Sequence, residues 1–220
     1  MIPAKENKWF IAIFRRYVWL LFYRRFKYVW LRRESPPEPS QPVIYYGNHN
    51  SWWDGIIPFL LNEYVLGHRH GRAMMEEKQM RQYPFFSRIG AFSIDLEESR
   101  SAVSSLRYAV RHLSRPDSCL FIYPEGRILP ATDSPKTFKA GLGWLLKQLP
   151  EVSVIPLAVH LHTLDYDKPE LFIHLGKPVA VNRDEDRTMI NEKLQHRLAT
   201  ELHSLRRVKN SEDAGFKRIV

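Results

Sequence analysis

Beyond residue 42, short continuous runs of apolar residues alternate with longer stretches in which apolar positions recur every three or four residues. The runs at 42–46, 91–95, 118–123, 152–160 and 171–175 predict strands. The stretches at 52–62, 77–88, 98–114, 138–149 and 185–207 predict helices. In the last of these, Met189, Ile190, Leu194, Leu198, Leu202 and Leu205 fall on one face, as a helix packed on a core requires. This alternation predicts an α/β fold, a largely parallel mixed sheet flanked by helices. Ligand sites in such sheets gather at the carboxyl ends of strands, and His49, Asp95 and Glu125 each lie at or just past one.

The first 34 residues follow a different pattern. Aromatic and aliphatic residues crowd from Trp9 to Leu31, but Arg15-Arg16, Arg24-Arg25 and Arg32-Arg33 interrupt them. No run reaches the roughly 18–20 apolar residues that cross a bilayer. A helical segment that lies in the membrane interface fits this pattern, with its cations toward anionic headgroups and its Trp and Tyr at the boundary. A helix docked on its own domain and an arm for nucleic acid are the other readings. The aromatic density exceeds what phosphate contacts need, so no nucleic-acid partner is expected. From Glu34 to Pro42, four prolines in nine residues predict a stiff linker. The expected layout is an interfacial segment at 1–34, a linker at 35–42, a globular domain at 43–208 and a C-terminal tail at 209–220 without regular structure.

Charge sharpens that division. The 220 residues carry a net charge of +9, and residues 1–35 hold nine Lys and Arg against Glu6 and Glu34, leaving the remainder close to neutral. A single cysteine, Cys119, excludes an internal disulfide and lies in an apolar run, where it reads as a core residue. With the basic arm and the lack of an export signal, this predicts a peripheral or monotopic protein on the cytoplasmic face of a membrane.

The candidate chemistry centres on the stretch from Asn48 to Asp54. Gly47 and Asn48 are turn residues after a strand, and Ser51 suits the N-cap of the next helix. His49 then lies in the loop and Asp54 in the first helical turn. From there the carboxylate can accept a hydrogen bond from one imidazole nitrogen and leave the other to take a proton. Ser51-x-x-Asp54 is equally a capping-box pattern that stabilises a helix start without any chemistry.

Four blocks in order give this chain its resemblance. They are Asn48 to Asp54, Gly90 to Leu96, Tyr123 to Arg127, and Val154 to Val159. The set resembles the glycerolipid acyltransferases typified by 1-acylglycerol-3-phosphate acyltransferase, with their HxxxxD motif, over about residues 40–160. The resemblance implies an enzyme that moves an acyl group from acyl-coenzyme A or acyl-carrier protein to the hydroxyl of a lysolipid such as lysophosphatidic acid. His49 would be the base, oriented by Asp54. Asn48, Glu125, Gly126 and Arg127 would bind the acceptor, and Lys78, Arg100 and Lys139 a phosphate or the donor. No cofactor beyond the thioester co-substrate is implied. In one respect the chain departs from the pattern: Leu96, followed by Glu97 and Glu98, stands where the family has an Arg used with acceptor phosphate. Loss of a cation and gain of two acids weakens the case for a phosphomonoester and raises a neutral or glycosylated lipid alcohol as the alternative. A non-catalytic lipid-binding protein is the reading of another class. No metal is expected: His68, His70, His160, His162 and His174 offer nitrogen ligands but no matched spacing.

Overall fold

The computed structural model describes residues 1–34, 40–163, 165–208 and 215–220. Its centre is a mixed sheet in the order β4-β3-β5-β2-β6-β7-β1-β8. The strands are β1 (Val29–Arg33), β2 (Val43–Gly47), β3 (His70–Glu76), β4 (Ala91–Ile94), β5 (Ser118–Ile122), β6 (Ser153–His162), β7 (Glu170–Leu175) and β8 (Lys217–Arg218). Strands β2 to β6 run parallel to one another, β7 runs antiparallel to β6, and β8 antiparallel to β1. The expected α/β class is therefore the observed one.

Helices cover both faces. On one face α1 (Lys8–Arg25) and α2 (Ile57–Tyr64) pack over Val43, Tyr45, Phe121 and Ile155. On the other, α5 (Ser99–Leu113), α6 (Gly141–Gln148) and α7 (Arg187–Arg206) pack over Ile44, Tyr46, Leu120 and Val154. Two short helices, α3 (Glu77–Gln82) and α4 (Phe85–Arg88), lie between β3 and β4. Alternate residues of β2 thus feed two separate cores, which is why its apolar run is unbroken.

Several boundaries differ from expectation, each for a local reason. The stretch at 77–88 breaks into α3 and α4 because Pro84 disfavours helical backbone at Tyr83, which takes φ −125° and ψ 73°. The stretch at 52–62 divides into a single 3-10 turn, Trp52–Gly55, and α2, with Pro58 in the first helical turn. Strand β3 has no apolar run to reveal it: its sequence is His-Gly-Arg-Ala-Met-Met-Glu, and its side chains are only partly buried because its carboxyl half borders a cavity.

Two expected segments need correction. Residues 29–33 do not belong to a helical arm: they form β1, parallel to β7, with Val29 fully buried, so the boundary drawn after residue 34 cuts through one sheet. The C-terminal tail is ordered where it is described. Phe216 and Val220 are buried, and Lys217 and Arg218 pair with β1. Residues 209–214, and residues 35–39 of the linker, lie outside the described residues. Helix α1 buries Phe14, Val18 and Phe22 against the domain, with Phe22 and Phe26 packed edge-on to Trp53. Its other side exposes Trp9, at 84%, with Ile13, Tyr17 and Leu20.

Candidate active site

The loop after β2 carries the imidazole. Asn48, fully buried, bonds through both ends of its amide to the backbone of Val159 on β6, at 2.9 Å each, and so pins the loop's first residue to the neighbouring strand. His49 follows with its Nδ1 3.0 Å from Asp54 Oδ2. That same carboxylate oxygen accepts the backbone N–H groups of Asn50 and Ser51 at 2.7 and 2.8 Å, and Oδ1 accepts from Ser51 Oγ at 3.2 Å. The helix-capping and catalytic readings therefore describe one structure. The backbone bonds fix the carboxylate, and the fixed carboxylate holds Nδ1. Asp54 is 1% exposed, so its charge is stabilised by these donors rather than by water.

Tyr123, at the end of β5, supports the imidazole from one side. Its ring stacks on His49 with centroids 4.8 Å apart, and its hydroxyl donates to the Asp54 carbonyl at 2.6 Å. Burial, with a smaller contribution from Asp54, pushes this phenol well above its ordinary pKa, so it stays a neutral support. Nε2 is the imidazole nitrogen left without a hydrogen-bond partner among the described residues.

Glu125 reaches the site from below. Pro124 and Glu125 occupy the centre of a turn closed by Gly126 N–H to Tyr123 O at 3.0 Å, and Gly126 takes φ +70°, which a side chain would strain. The turn sends the Glu125 carboxylate inward. One oxygen accepts the His49 backbone N–H at 2.9 Å, and the other accepts Ser134 Oγ at 2.9 Å and the Lys136 N–H at 2.8 Å. At 3% exposure, this group ties the His49 loop to the 134–136 loop. The sequence implied an acceptor-binding role for Glu125 and Asn48; in the structure both side chains hold protein backbone, and they position the loop that carries His49.

Two cavities adjoin one another here, and His49 lines the first. One, of about 580 Å³, is largely apolar and runs from His49 and Trp52 past Met75, Phe86, Val103 and Leu142. The other, of about 650 Å³, is polar and includes Lys78, Asp95, Glu97, Glu125 and Lys136. They share Glu76, Leu96, Gly126, Arg127 and Lys139. Of the cations expected here, Lys78 lies 3.3 Å from Glu97, whereas Arg127 and Lys139 stand at the junction without an ion-pair partner among the described residues. Arg100 is not in the site: it lies on the solvent side of α5. Leu96 touches the Gly126 position so closely that a Cβ there would fall 2.8 Å from its Cδ1. The sequence missed the part played by Tyr123, whose signal is its place immediately before the Pro124-Glu125 turn, and the whole of β3, which lines the apolar cavity.

Cys119 is buried in β5, where desolvation pushes its thiol up to about 12, so it is a core residue and not a nucleophile.

A family model described as Acyltransferase matches residues 29–160 of the chain. No curated protein matches it. Among solved structures, the chain is similar to the crystal structure of the 1-acyl-sn-glycerophosphate (LPA) acyltransferase PlsC from Thermotoga maritima. The identity is 17%, the TM-score 0.63, and the match covers 90% of this chain and 81% of that one. At that identity the likeness is one of fold.

Proposed function

The chain belongs to the acyltransferase family, and from that premise we propose that it transfers a fatty acyl group from acyl-coenzyme A or acyl-carrier protein to the hydroxyl of a lysophospholipid such as lysophosphatidic acid. The observation that carries this reading is the His49–Asp54 pair, 3.0 Å apart on the wall of an apolar cavity that adjoins a polar one. The acyl chain occupies the apolar cavity, whose volume is in the ordinary range for ligand sites. The acceptor headgroup occupies the polar one, and the reacting hydroxyl meets the thioester where the two join. His49 Nε2 takes the hydroxyl proton as the oxygen attacks the thioester carbonyl carbon. Asp54 stabilises the imidazolium. Collapse of the tetrahedral intermediate breaks the C–S bond, and the imidazolium returns its proton to the departing thiolate. No acyl-enzyme forms, and the step resembles the His-Asp part of a serine-protease triad with the acceptor in place of the serine.

Arg127 and Lys139 favour an anionic acceptor, since each is an unpaired cation at the junction. Leu96, which packs on Gly126 where the family has an Arg, favours a neutral lipid alcohol, and this is the second reading. Such a substrate is taken from a membrane surface. Among the described residues no helix is long and apolar enough to cross a bilayer, and the exposed Trp9, Ile13, Tyr17 and Leu20 of α1 form an interfacial docking face. The test is transfer of labelled acyl from each donor to lysophosphatidic acid, other lysophospholipids and neutral hydroxylated lipids, with wild type beside His49→Ala. Transfer to lysophosphatidic acid that vanishes in the mutant is the expected result. Transfer that persists in His49→Ala overturns the assigned base, and transfer to no acceptor from either donor overturns the function.

A further inference from the structure

Helix α5 carries an unusual face. Arg100, Ser104, Arg107 and Arg111 are all exposed and follow one another at the four- and three-residue steps that make a single line along a helix. The opposite side, Ser105, Ala109, His112 and Leu113, is buried. Between the two, the flank formed by Ser99, Ala102, Val103 and Leu106 lines the apolar cavity beside His49. Val103, 43% exposed, therefore borders both the arginine line and the cavity. None of the three arginines forms an ion pair with an acid among the described residues; Arg111 lies 6.0 Å over the Tyr108 ring. A row of solvated cations on the rim of a substrate cavity is an electrostatic surface with no counterpart inside the molecule.

The geometry points to one occupant: a soluble acidic protein that presents the acyl chain as a thioester and lays an acidic helical surface along α5. This assignment rests on the acyl-transfer function proposed above and names the donor side of that same site. Two features favour such a partner over the other anions that arginine attracts. The line from Arg100 to Arg111 extends about 16 Å, three turns of helix, which is longer than one nucleotide and suited to another helix. It also lies on the face of the sheet opposite α1, whose exposed aromatic residues form the docking face proposed above, so in that arrangement α5 is turned away from the membrane. With the carrier on one face and the membrane on the other, the thioester reaches the cavity along its α5 wall, which Val103 and Leu106 line.

The experiment compares wild type with Arg107→Glu/Arg111→Glu, reading kcat/KM for the same acyl chain supplied on acidic acyl-carrier protein and on coenzyme A. Direct titration of each enzyme with fluorescently labelled carrier protein accompanies it at low and high salt. The ratio of carrier-dependent to coenzyme A-dependent kcat/KM should fall about 10- to 100-fold in the variant, the range of electrostatic steering, with weakened binding that salt also weakens in wild type. Equal losses with both donors would overturn the proposal, since the stripe would then serve coenzyme A or folding. An unchanged ratio would overturn it too, while leaving the acyltransferase function intact. If wild type turned over neither donor, the functional reading would fail, and the titration alone would decide whether α5 binds the carrier.

Discussion

Among the described histidines that lie close to carboxylates, His49 and His174 differ most in what surrounds the ring, and only His49 lines a cavity. His49 Nδ1 meets Asp54 at 3.0 Å, while the ring lines the apolar cavity and its other nitrogen has no hydrogen-bond partner among the described residues. His174, on β7, is fully buried, with Nδ1 3.1 Å from Glu201, Nε2 3.2 Å from Glu34 and Arg32 also against Nδ1. A further ion pair, Arg197 to Glu201 at 2.6 Å, extends the cluster on α7. Three ligand-type side chains converge at His174, yet three cations, Arg32, Lys177 and Arg197, surround the two acids and more than offset their charge. The difference teaches that a His-carboxylate pair can serve as a base only where the second nitrogen opens on a cavity, and is confined to a structural role where the ring is sealed among charged side chains.

The sharpest way to break this comparison is to delete each ring. His49→Ala should lower kcat/KM by about 10²- to 10⁴-fold, the usual contribution of a positioned base, and leave the midpoint of urea unfolding almost unchanged. The loop is held by the His49 backbone, through Glu125 and through the Leu129 N–H, and these bonds do not need the imidazole. His174→Ala should do the reverse, destabilising the fold by about 2–5 kcal/mol because truncating a fully buried ring leaves a cavity in the core. Near-normal kcat/KM at low temperature would accompany that loss. A His174 variant as inactive as His49→Ala, with its stability intact, would end the distinction.

A third histidine extends the comparison to pH. His112, on α5, has Nε2 at 3.0 Å from the His70 carbonyl and 3.2 Å from that of Cys119, and it touches no carboxylate. Burial, helped by the nearby positive charge of Arg72, pushes its pKa down from 6.5 to about 4. The unfolded chain therefore binds the proton first. The stability from this group is present above about pH 6.5 and is lost as pH falls toward 4, a change of about 3 kcal/mol at most. Chemical denaturation at a series of pH values should show that decline in wild type and a flatter profile in His112→Gln.

How much of this was legible follows from where each signal lives. The strands that feed two cores, β2, β5 and β6, announce themselves because burial on both faces demands unbroken apolar runs. Strand β3 does not, because one end of it forms a cavity wall and its residues Ala73, Met74 and Met75 border ligand space as well as the core. His49 and Asp54 were legible as a pair since five residues separate them and local geometry alone brings them together. Glu125 and Asn48 were legible as positions but not as roles. Their partners, Lys136 and Val159, lie 11 and 111 residues away, and only the folded chain shows that these side chains hold backbone. Likewise the density of aromatics in α1 was visible, but which of them face inward depended on Trp53 and Phe59, residues of other elements.

The smallest expected effect tests the polar cavity rather than the histidine, and it sharpens the comparison by asking what the free nitrogen is presented with. Leu96 sits at the border of the two cavities against Gly126, with the unpaired Arg127 and Lys139 beside it. Replacing Leu96 with Arg adds a cation where its longer side chain must leave the crowded Gly126 surface and enter the polar cavity. A charge-assisted hydrogen bond contributes about 1.5–3 kcal/mol when formed. With Leu96 41% exposed, solvent screening reduces this to roughly a tenfold gain in kcat/KM for lysophosphatidic acid over a neutral lipid alcohol. Leu96→Gln, polar but uncharged, should give little of that gain. Equal gains for Arg and Gln would mean that the change acts through shape, and a loss for lysophosphatidic acid with Arg would mean that the phosphate already lies elsewhere, on Arg127 and Lys139. Because Leu96 takes no part in the hydrogen bonds that hold His49 and Asp54, its substitution should change which hydroxyl arrives at Nε2 more than it changes the pair itself.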